Sequence, residues 1–334
     1  MTVPRVAVPG MTVPRITVVG SYATGLTMKV KRLPCTGETL LGTGYRVDCG
    51  GKGSNQAVGS ARLGAKVNFV ARIGNDAFGE MALTLYREEG IDVAYVKQTD
   101  GVPTGVGFIM VEAASGNNCI VIDPGANELL TADDISICAA AFESTSAILT
   151  QLEIPVAAAE AALRLGRAGG AITILNPAPV RLLPPSVLQL VDILTPNQSE
   201  AKVLTGRSPD AVIEPEKLAR ELIRSGVKQV VMTLGERGAL IVTTSSSTHV
   251  PAIPMSAVDT TGAGDAFNAG LATALAAGAS LEAAVQFAVV TGGLAVTREG
   301  VIPSLPRCDE VRDFYQKSGM TLPAWFATSS APLQ

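Results

Sequence analysis

The segment Val258-Asp259-Thr260-Thr261-Gly262-Ala263-Gly264-Asp265-Ala266-Phe267 runs a polar, glycine-rich turn straight into an apolar helical stretch. Gly262 and Gly264 have no side chains, so backbone N–H groups at the helix start can face a ligand. Those groups lack intrahelical acceptors and lie at the positive end of the helix, which makes an anion site. Asp265 falls in the first turn, beside that site. A carboxylate there can take a proton from a hydroxyl while the amides stabilise charge on a phosphoryl group. A bare G-x-G-D is equally an ordinary helix start with an acidic first-turn residue. The preceding Asp-Thr-Thr narrows that alternative.

A second cluster is Cys49-Gly50-Gly51-Lys52-Gly53-Ser54-Asn55-Gln56-Ala57. Three glycines surround Lys52, and Asn55 falls in the first turn of a helix. Bare backbone with Lys and Asn donors suits a polyhydroxylated ligand. A flexible turn with a solvated lysine is the plainer reading.

Other chemistries are excluded or disfavoured. No G-x-x-x-x-G-K-[ST] occurs, and Gly20 is followed by Ser21-Tyr22-Ala23-Thr24-Gly25, which makes no G-x-G-x-x-G. That disfavours a nicotinamide-dependent oxidoreductase. The single histidine, His249, speaks against histidine metal sites and a Ser-His-Asp hydrolase, and reads as a surface or strand-end residue. Net charge is −4 and aromatics are 4%, so neither a basic field nor stacking platforms exist for nucleic acid. The five cysteines form no C-x-x-C pair, which predicts reduced thiols in a cytoplasmic protein. No apolar run is long enough to span a bilayer, and the N-terminus lacks a secretory signal pattern. Met-Thr-Val-Pro-Arg occurs at positions 1 and 11 and suggests no function.

These motifs need a scaffold. At 334 residues, 47% hydrophobic and 17% charged, the chain is globular, with one large domain or two ordinary ones. Buried strands are predicted at 15–20, 66–73, 147–152, 171–175, 192–195, 229–233 and 239–243. Helices are predicted at 54–63, about 77–89 and 215–225. The alternation predicts a mostly parallel sheet covered on both faces. Residues 39–49 and 104–123 break the rhythm. The second reads as a hairpin turning at Ser115-Gly116-Asn117-Asn118, and together they predict a small antiparallel sheet. Such a sheet serves as a lid over a site or as a plain edge extension. From Ala263 onward the chain is helical and alanine-rich, which permits close helix packing.

With both glycine clusters in place, the chain resembles the ribokinase family of sugar kinases (the phosphofructokinase B superfamily) from about Ile16 to Tyr315. Gly50 to Ala57 is similar to the family's N-terminal signature and Asp259 to Asp265 to its C-terminal one. Gln151-Leu152-Glu153, Asn176 to Pro179, Thr195 to Glu200 and Thr233-Leu234-Gly235 follow in matching order. The resemblance implies an α/β ribokinase-like fold, with helices on both faces of the sheet and a small β-sheet lid. It implies an extension at 1–14, a kinase domain at 15–320 with lid strands near 28–49 and 100–125, and a tail at 321–334. It implies ATP-dependent phosphorylation of a primary hydroxyl of a small sugar. D-ribose is the first candidate, and a non-catalytic sensor the remaining alternative.

The implied roles are specific. Asp265 is the base, and Gly262, Ala263 and Gly264 form the anion hole. Gly51, Lys52, Asn55 and Glu153 hold the sugar. Asn197 and Glu200 position the ATP phosphates and Mg²⁺. Thr233, Gly235, Gly238 and Gly264 line the nucleotide pocket. Asp259, Thr261, Ala295, Arg298, Gly300 and Ser304 match a monovalent-cation site, usually potassium, several through backbone carbonyls. A homodimer through the lid is also implied.

One departure stands out. The family follows its first strand with Gly-Ser, an Asn two residues on and an Asp two beyond; here those positions are Ala23 and Gly25. Two hydrogen-bonding side chains expected on the sugar are gone. Thr24, Thr27 or Lys29 could substitute, water could bridge, or the substrate could be another pentose, ketose, deoxy sugar, polyol or nucleoside.

Overall fold

The computed structural model describes residues 13–327. The repeat at positions 1 and 11 lies outside them except for Val13 to Arg15. The strands are β1 (Arg15–Val19), β2 (Ala23–Val30), β3 (Thr43–Gly50), β4 (Lys66–Gly74), β5 (Val96–Thr99), β6 (Gly105–Glu112) and β7 (Asn118–Asp123). They continue with β8 (Ala147–Thr150), β9 (Ile172–Leu175), β10 (Ile193–Leu194), β11 (Gln229–Thr233), β12 (Ala239–Val242) and β13 (Ser247–Val250). Nine of them form the main sheet in the order β13-β12-β11-β10-β9-β8-β1-β4-β5. Pairings from β11 through β5 are parallel, and β12 and β13 join antiparallel at one edge.

Sequence position explains the burial. The β-branched runs of β1 and β8 are covered on both faces, with Val18, Val19, Ile148 and Leu149 fully buried, as a sheet between helix layers requires. From β1 the strand order grows in one direction through β4 and in the other through β8. The β1–β8 boundary is therefore a topological switch point, where a crevice opens at the carboxyl ends of the strands.

Two helices reach that crevice. Helix Lys52–Arg62 and helix Ala263–Ala276 pack closely because small residues meet: a Cβ on Gly59 would stand 2.8 Å from Ala269 Cβ. Helix Leu281–Ala295 packs on the second in the same way, with Gly270 against Thr291. The last described helix, Ala324–Ala327, seats Phe326 against Phe287 with ring centroids 4.8 Å apart.

The small sheet has the order β3-β2-β6-β7, with β2–β6 parallel and the other pairs antiparallel. The 104–123 hairpin forms as its turn residues predict. The first lid strand begins at Ala23, ahead of the strand-like stretch read near 28, and β3 starts at Thr43, not Thr39. The Ala-Thr-Gly start of β2 has no apolar alternation to announce it. β10 is two residues, shorter than the predicted 192–195: the Thr195 N–H still donates to the Leu175 carbonyl at 3.0 Å, but its carbonyl accepts from the Asn176 side chain. β5 and β13 carry no strong pattern and were not anticipated. His249 lies on exposed β13 and pairs with the Arg237 carbonyl at 2.7 Å.

Candidate active site

The carboxyl ends of the parallel strands and the N-termini of two helices converge on a cavity of about 140 Å³. It is lined by Lys52, Asn176, Ala178, Thr195, Asn197, Glu200, Thr233, Gly262, Gly264, Asp265 and Asn268. Asp265 is buried at its centre, 6% exposed. Its Oδ2 accepts from Asn55 Nδ2 at 2.8 Å and its Oδ1 from Gln56 Nε2 at 2.9 Å. Two signatures more than 200 residues apart in sequence thus meet on one carboxylate. Asn55 Oδ1 is buried without a hydrogen-bond partner. Burying an unpaired acceptor is costly, so this oxygen fits a ligand that brings a hydroxyl donor.

The turn before Asp265 has distinct demands at its two glycines. Gly262 adopts φ 82°, and a Cβ there would stand 2.6 Å from Val301 Cγ1, so the fold itself requires glycine. Gly264 lines the cavity, and a Cβ there would meet no protein atom within 4 Å. The Ala263 N–H bends back to the Thr260 carbonyl at a long 3.3 Å. The next two N–H groups, on Gly264 and Asp265, have no intrahelical acceptor by position. Asn268, one turn on, donates to the Gly264 carbonyl at 2.8 Å and accepts from Thr195 Oγ1 at 2.6 Å, which ties the turn to β10.

Lys52 enters from the other helix. The nearby Asp265 carboxylate raises its pKa, burial opposes this, and Glu153 and Glu200 add to the rise. Lys52 therefore stays cationic beside the anion site. Its helix has glycine at the N-cap and no side-chain cap of its own. Glu153 supplies one across the switch point: its Oε2 accepts from the Lys52 N–H at 2.8 Å and from Ser21 Oγ at 2.6 Å. Removing that carboxylate with Glu153→Ala leaves both donors without their charged partner. The expected cost is about 1.5–3 kcal/mol, read as a fall of several degrees in the thermal unfolding midpoint. An unchanged midpoint would remove Glu153 from this structural role.

On the opposite wall, Asn197 and Glu200 form a capping box on helix Gln198–Leu204, each side chain bonding the other's backbone N–H at 2.8 Å. Burial pushes the Glu200 carboxyl up, the Asn197 N–H opposes it, and Asp265's charge adds to the rise. Thr233 lies at the end of β11 with Gly235 and Gly238 just beyond, both at positive φ. A Cβ on Gly238 would stand 2.1 Å from the Val250 carbonyl, so glycine there serves packing of the β12–β13 edge.

The six expected cation-site residues are brought partly together. Asp259 accepts from the Thr261 N–H at 2.9 Å and the Gly300 N–H at 3.0 Å, joining the two loops. Burial would raise its pKa, but these bonds and Arg46 outweigh it and hold it low. The Arg298 side chain pairs with Glu310 and donates to the Ser304 carbonyl at 3.0 Å. Only the main chain of Arg298 is left to serve a cation, and the Ser304 carbonyl already has one donor. Ala295 ends its helix in the core. Among the described residues no three His, Cys, Asp or Glu cluster as for a divalent metal. The donor set is one carboxylate plus neutral oxygens, which suits a hard, singly charged ion.

The small sheet has a row with two glycines side by side. Register places Gly25 opposite Asp48 and Gly107, with Ile122 next, on the face that carries Arg46. A Cβ on Gly25 would meet only ordinary contacts, Ile109 Cδ1 at 3.5 Å and the Asp48 carbonyl at 3.7 Å, so the backbone would admit a larger residue. Thr24 is spent: it is fully buried on the opposite face and donates to Tyr22 Oη at 3.2 Å. Thr27 and Lys29 share the Gly25 face by alternation.

Sequence reasoning gave no role to Gln56, Gln151, Asn176, Thr195, Asn268 or Asp48. A polar residue in an otherwise apolar helix was the available signal for Asn268.

A helix start with two N–H groups lacking intrahelical acceptors, a buried carboxylate and a lysine meet at a switch-point crevice of an α/β fold, an arrangement able to bind an anion and accept a proton. Comparison with known proteins agrees. Residues 13–308 match the pfkB family of carbohydrate kinases, and the chain belongs to that family. It is 36% identical over 300 residues to ribokinase of Haemophilus influenzae, covering 90% of this chain and 98% of that one. It is 35% identical over 298 residues to deoxyribokinase of Salmonella typhi, covering 89% and 97%. Arabidopsis thaliana ribokinase complexed with ribose and ATP superposes with a TM-score of 0.83 at 31% identity, covering 90% and 98%. The chain is a sugar kinase with a ribokinase-like fold. No helix among the described residues is long and apolar enough to cross a membrane.

Proposed function

We propose that this kinase transfers the γ-phosphoryl group of ATP to the primary hydroxyl of a pentose, with D-ribose the first substrate. The observation that carries it is the Asp265 carboxylate, held by Asn55 and Gln56 beside the Gly262–Gly264 turn. The likeness to ribokinases over nine-tenths of the chain supports the sugar class. Asp265 accepts the hydroxyl proton as that oxygen attacks in line. The Gly264 and Asp265 N–H groups and Lys52 offset charge on the transferring group. Such chemistry needs position and charge stabilisation more than covalent catalysis, so a protein with one histidine can perform it.

Asn197 and Glu200 would hold Mg²⁺ with the ATP phosphates. Asp259 with the carbonyls of the 295–304 segment would hold a monovalent cation. Bound, these ions supply positive charge to the phosphates and the anion site. Thr233, Gly235 and Gly238 flank the nucleotide. The lid excludes water, which limits wasteful ATP hydrolysis. Its far face leaves Tyr45, Phe108 and Val121 more than half exposed, a surface suited to a second copy of this chain. A cytoplasmic location fits five free thiols.

A second reading is favoured by one observation. Ala23 and Gly25 offer the sugar no side-chain hydrogen bond, and Asp48 is the carboxylate paired with Gly25. A deoxy sugar needs fewer such contacts. Measuring kcat/KM over pentoses, deoxypentoses, hexoses, polyols and nucleosides separates the readings. D-ribose is expected first, with 2-deoxyribose within about tenfold, because one missing hydrogen bond is worth about 1 kcal/mol. A preference for a hexose or nucleoside would overturn the assignment.

A further inference from the structure

Beneath Asp265 lies a chain of buried side-chain amides whose polarity is set from one end. The Thr195 carbonyl can only accept, and Asn176 Nδ2 donates to it at 3.3 Å. Asn176 Oδ1 must therefore face Gln56, whose Nε2 donates to it at 3.1 Å and to Asp265 Oδ1 at 2.9 Å. That leaves Gln56 Oε1 to accept from Gln151 Nε2 at 2.5 Å. Both glutamines are fully buried. Gln151 ends the chain with Oε1 unpartnered and lodged over Gly20, where a Cβ would stand 2.2 Å from it. Gly20 is thus bare because Gln151 occupies the space of its side chain.

A flipped Gln56 would set its oxygen against two acceptors, Asn176 Oδ1 and Asp265 Oδ1. In a buried site such a contact loses two hydrogen bonds and adds repulsion. We propose that Gln56 and Gln151 are positioning residues for the base. Gln151 supplies the donor that Gln56 Oε1 needs when Nε2 faces Asp265, and Gln56 with Asn55 fixes one carboxylate oxygen each. Asp265 then keeps a single orientation, with a lone pair left for the substrate hydroxyl. This rests on the reading of Asp265 as the base. The charged groups that bear on Asp265 are Lys52 and Glu200, with Glu153 acting on Lys52. Gln56 is neutral, so its replacement by leucine changes none of them.

The test uses Gln56→Leu, Gln56→Glu and Gln151→Leu in the full chain. Gln56→Leu is expected to lower kcat about a hundredfold, with KM for sugar and MgATP within about threefold of wild type. Gln56→Glu keeps the shape and sets a second carboxyl against Asp265. The pair then titrates together, and the acid limb of kcat/KM moves up by about one pH unit. Gln151→Leu is expected to lower kcat about tenfold, since it leaves the buried Gln56 Oε1 without its donor in the one orientation that serves Asp265. If Gln56→Leu is too unstable to purify, the isosteric Gln56→Glu and the distal Gln151→Leu carry the test. A kcat within twofold of wild type and an unmoved acid limb in the variants, even with a lowered melting temperature, would reduce both glutamines to packing residues. Turnover retained in Asp265→Asn would instead sink the underlying base assignment, so the two failures are distinguishable.

Discussion

Asp265→Asn is expected to lower kcat about a thousandfold, within the range a positioned general base contributes, while nucleotide affinity stays within twofold. The substitution keeps size and shape but removes the proton acceptor. It also sets up a local conflict. Each oxygen of Asp265 accepts an amide N–H, from Asn55 and from Gln56. An asparagine must turn its own NH₂ toward one of those donors, so one hydrogen bond is lost unless Asn55 flips to present its unpartnered Oδ1. Sugar grip through Asn55 is expected to weaken modestly as well. Nucleotide binding is expected to be spared because the Asp265 carboxylate bonds Asn55 and Gln56 while Asn197 and Glu200 bond each other in their capping box. Isothermal titration with an unreactive ATP analogue and steady-state turnover check the two halves separately. Turnover near wild type would remove Asp265 from the base role.

The second large effect belongs to Gly264→Ala. Protein packing does not require glycine there, since a Cβ would meet no protein atom within 4 Å. Alanine in a helix is more favourable than glycine by about 1 kcal/mol, so the melting temperature is expected to hold or rise. Yet position 264 lines the cavity, and its N–H is one of the two without an intrahelical acceptor. A methyl group at that surface keeps a phosphoryl group from the amides. Loss of anion-hole donors typically costs about 10²–10³ in kcat, and a fall of that size is expected. Gly262 is the control: at φ 82° and against Val301, alanine there would cost stability first. A stable Gly264→Ala enzyme with unimpaired kcat would contradict the anion-hole assignment.

Much of the site was legible because its parts are local. Gly262 to Asp265 and Gly51 to Asn55 each put chemistry within one turn and a helix start, and sequence neighbours stay neighbours in space. The parallel strands were legible as β-branched runs, to within a few residues at their ends. What escaped depends on convergence. Gln56 meets Gln151 across 95 residues and Asn176 across 120, and no spacing rule announces such a contact. The start of β2 escaped because Ala23-Thr24-Gly25 lacks apolar alternation, so the place of Gly25 beside Asp48 was invisible. The pairing of the Arg298 side chain with Glu310, twelve residues on, likewise had no signal in the spacing.

The most direct test of the account is ADP release by the wild-type chain with MgATP, with and without D-ribose, followed by ³¹P NMR of the product. The account predicts ADP formed in step with one sugar phosphate ester on the primary hydroxyl, and little ADP without sugar. ADP formation that ignores every sugar offered, or that yields free phosphate in place of the ester, would contradict it.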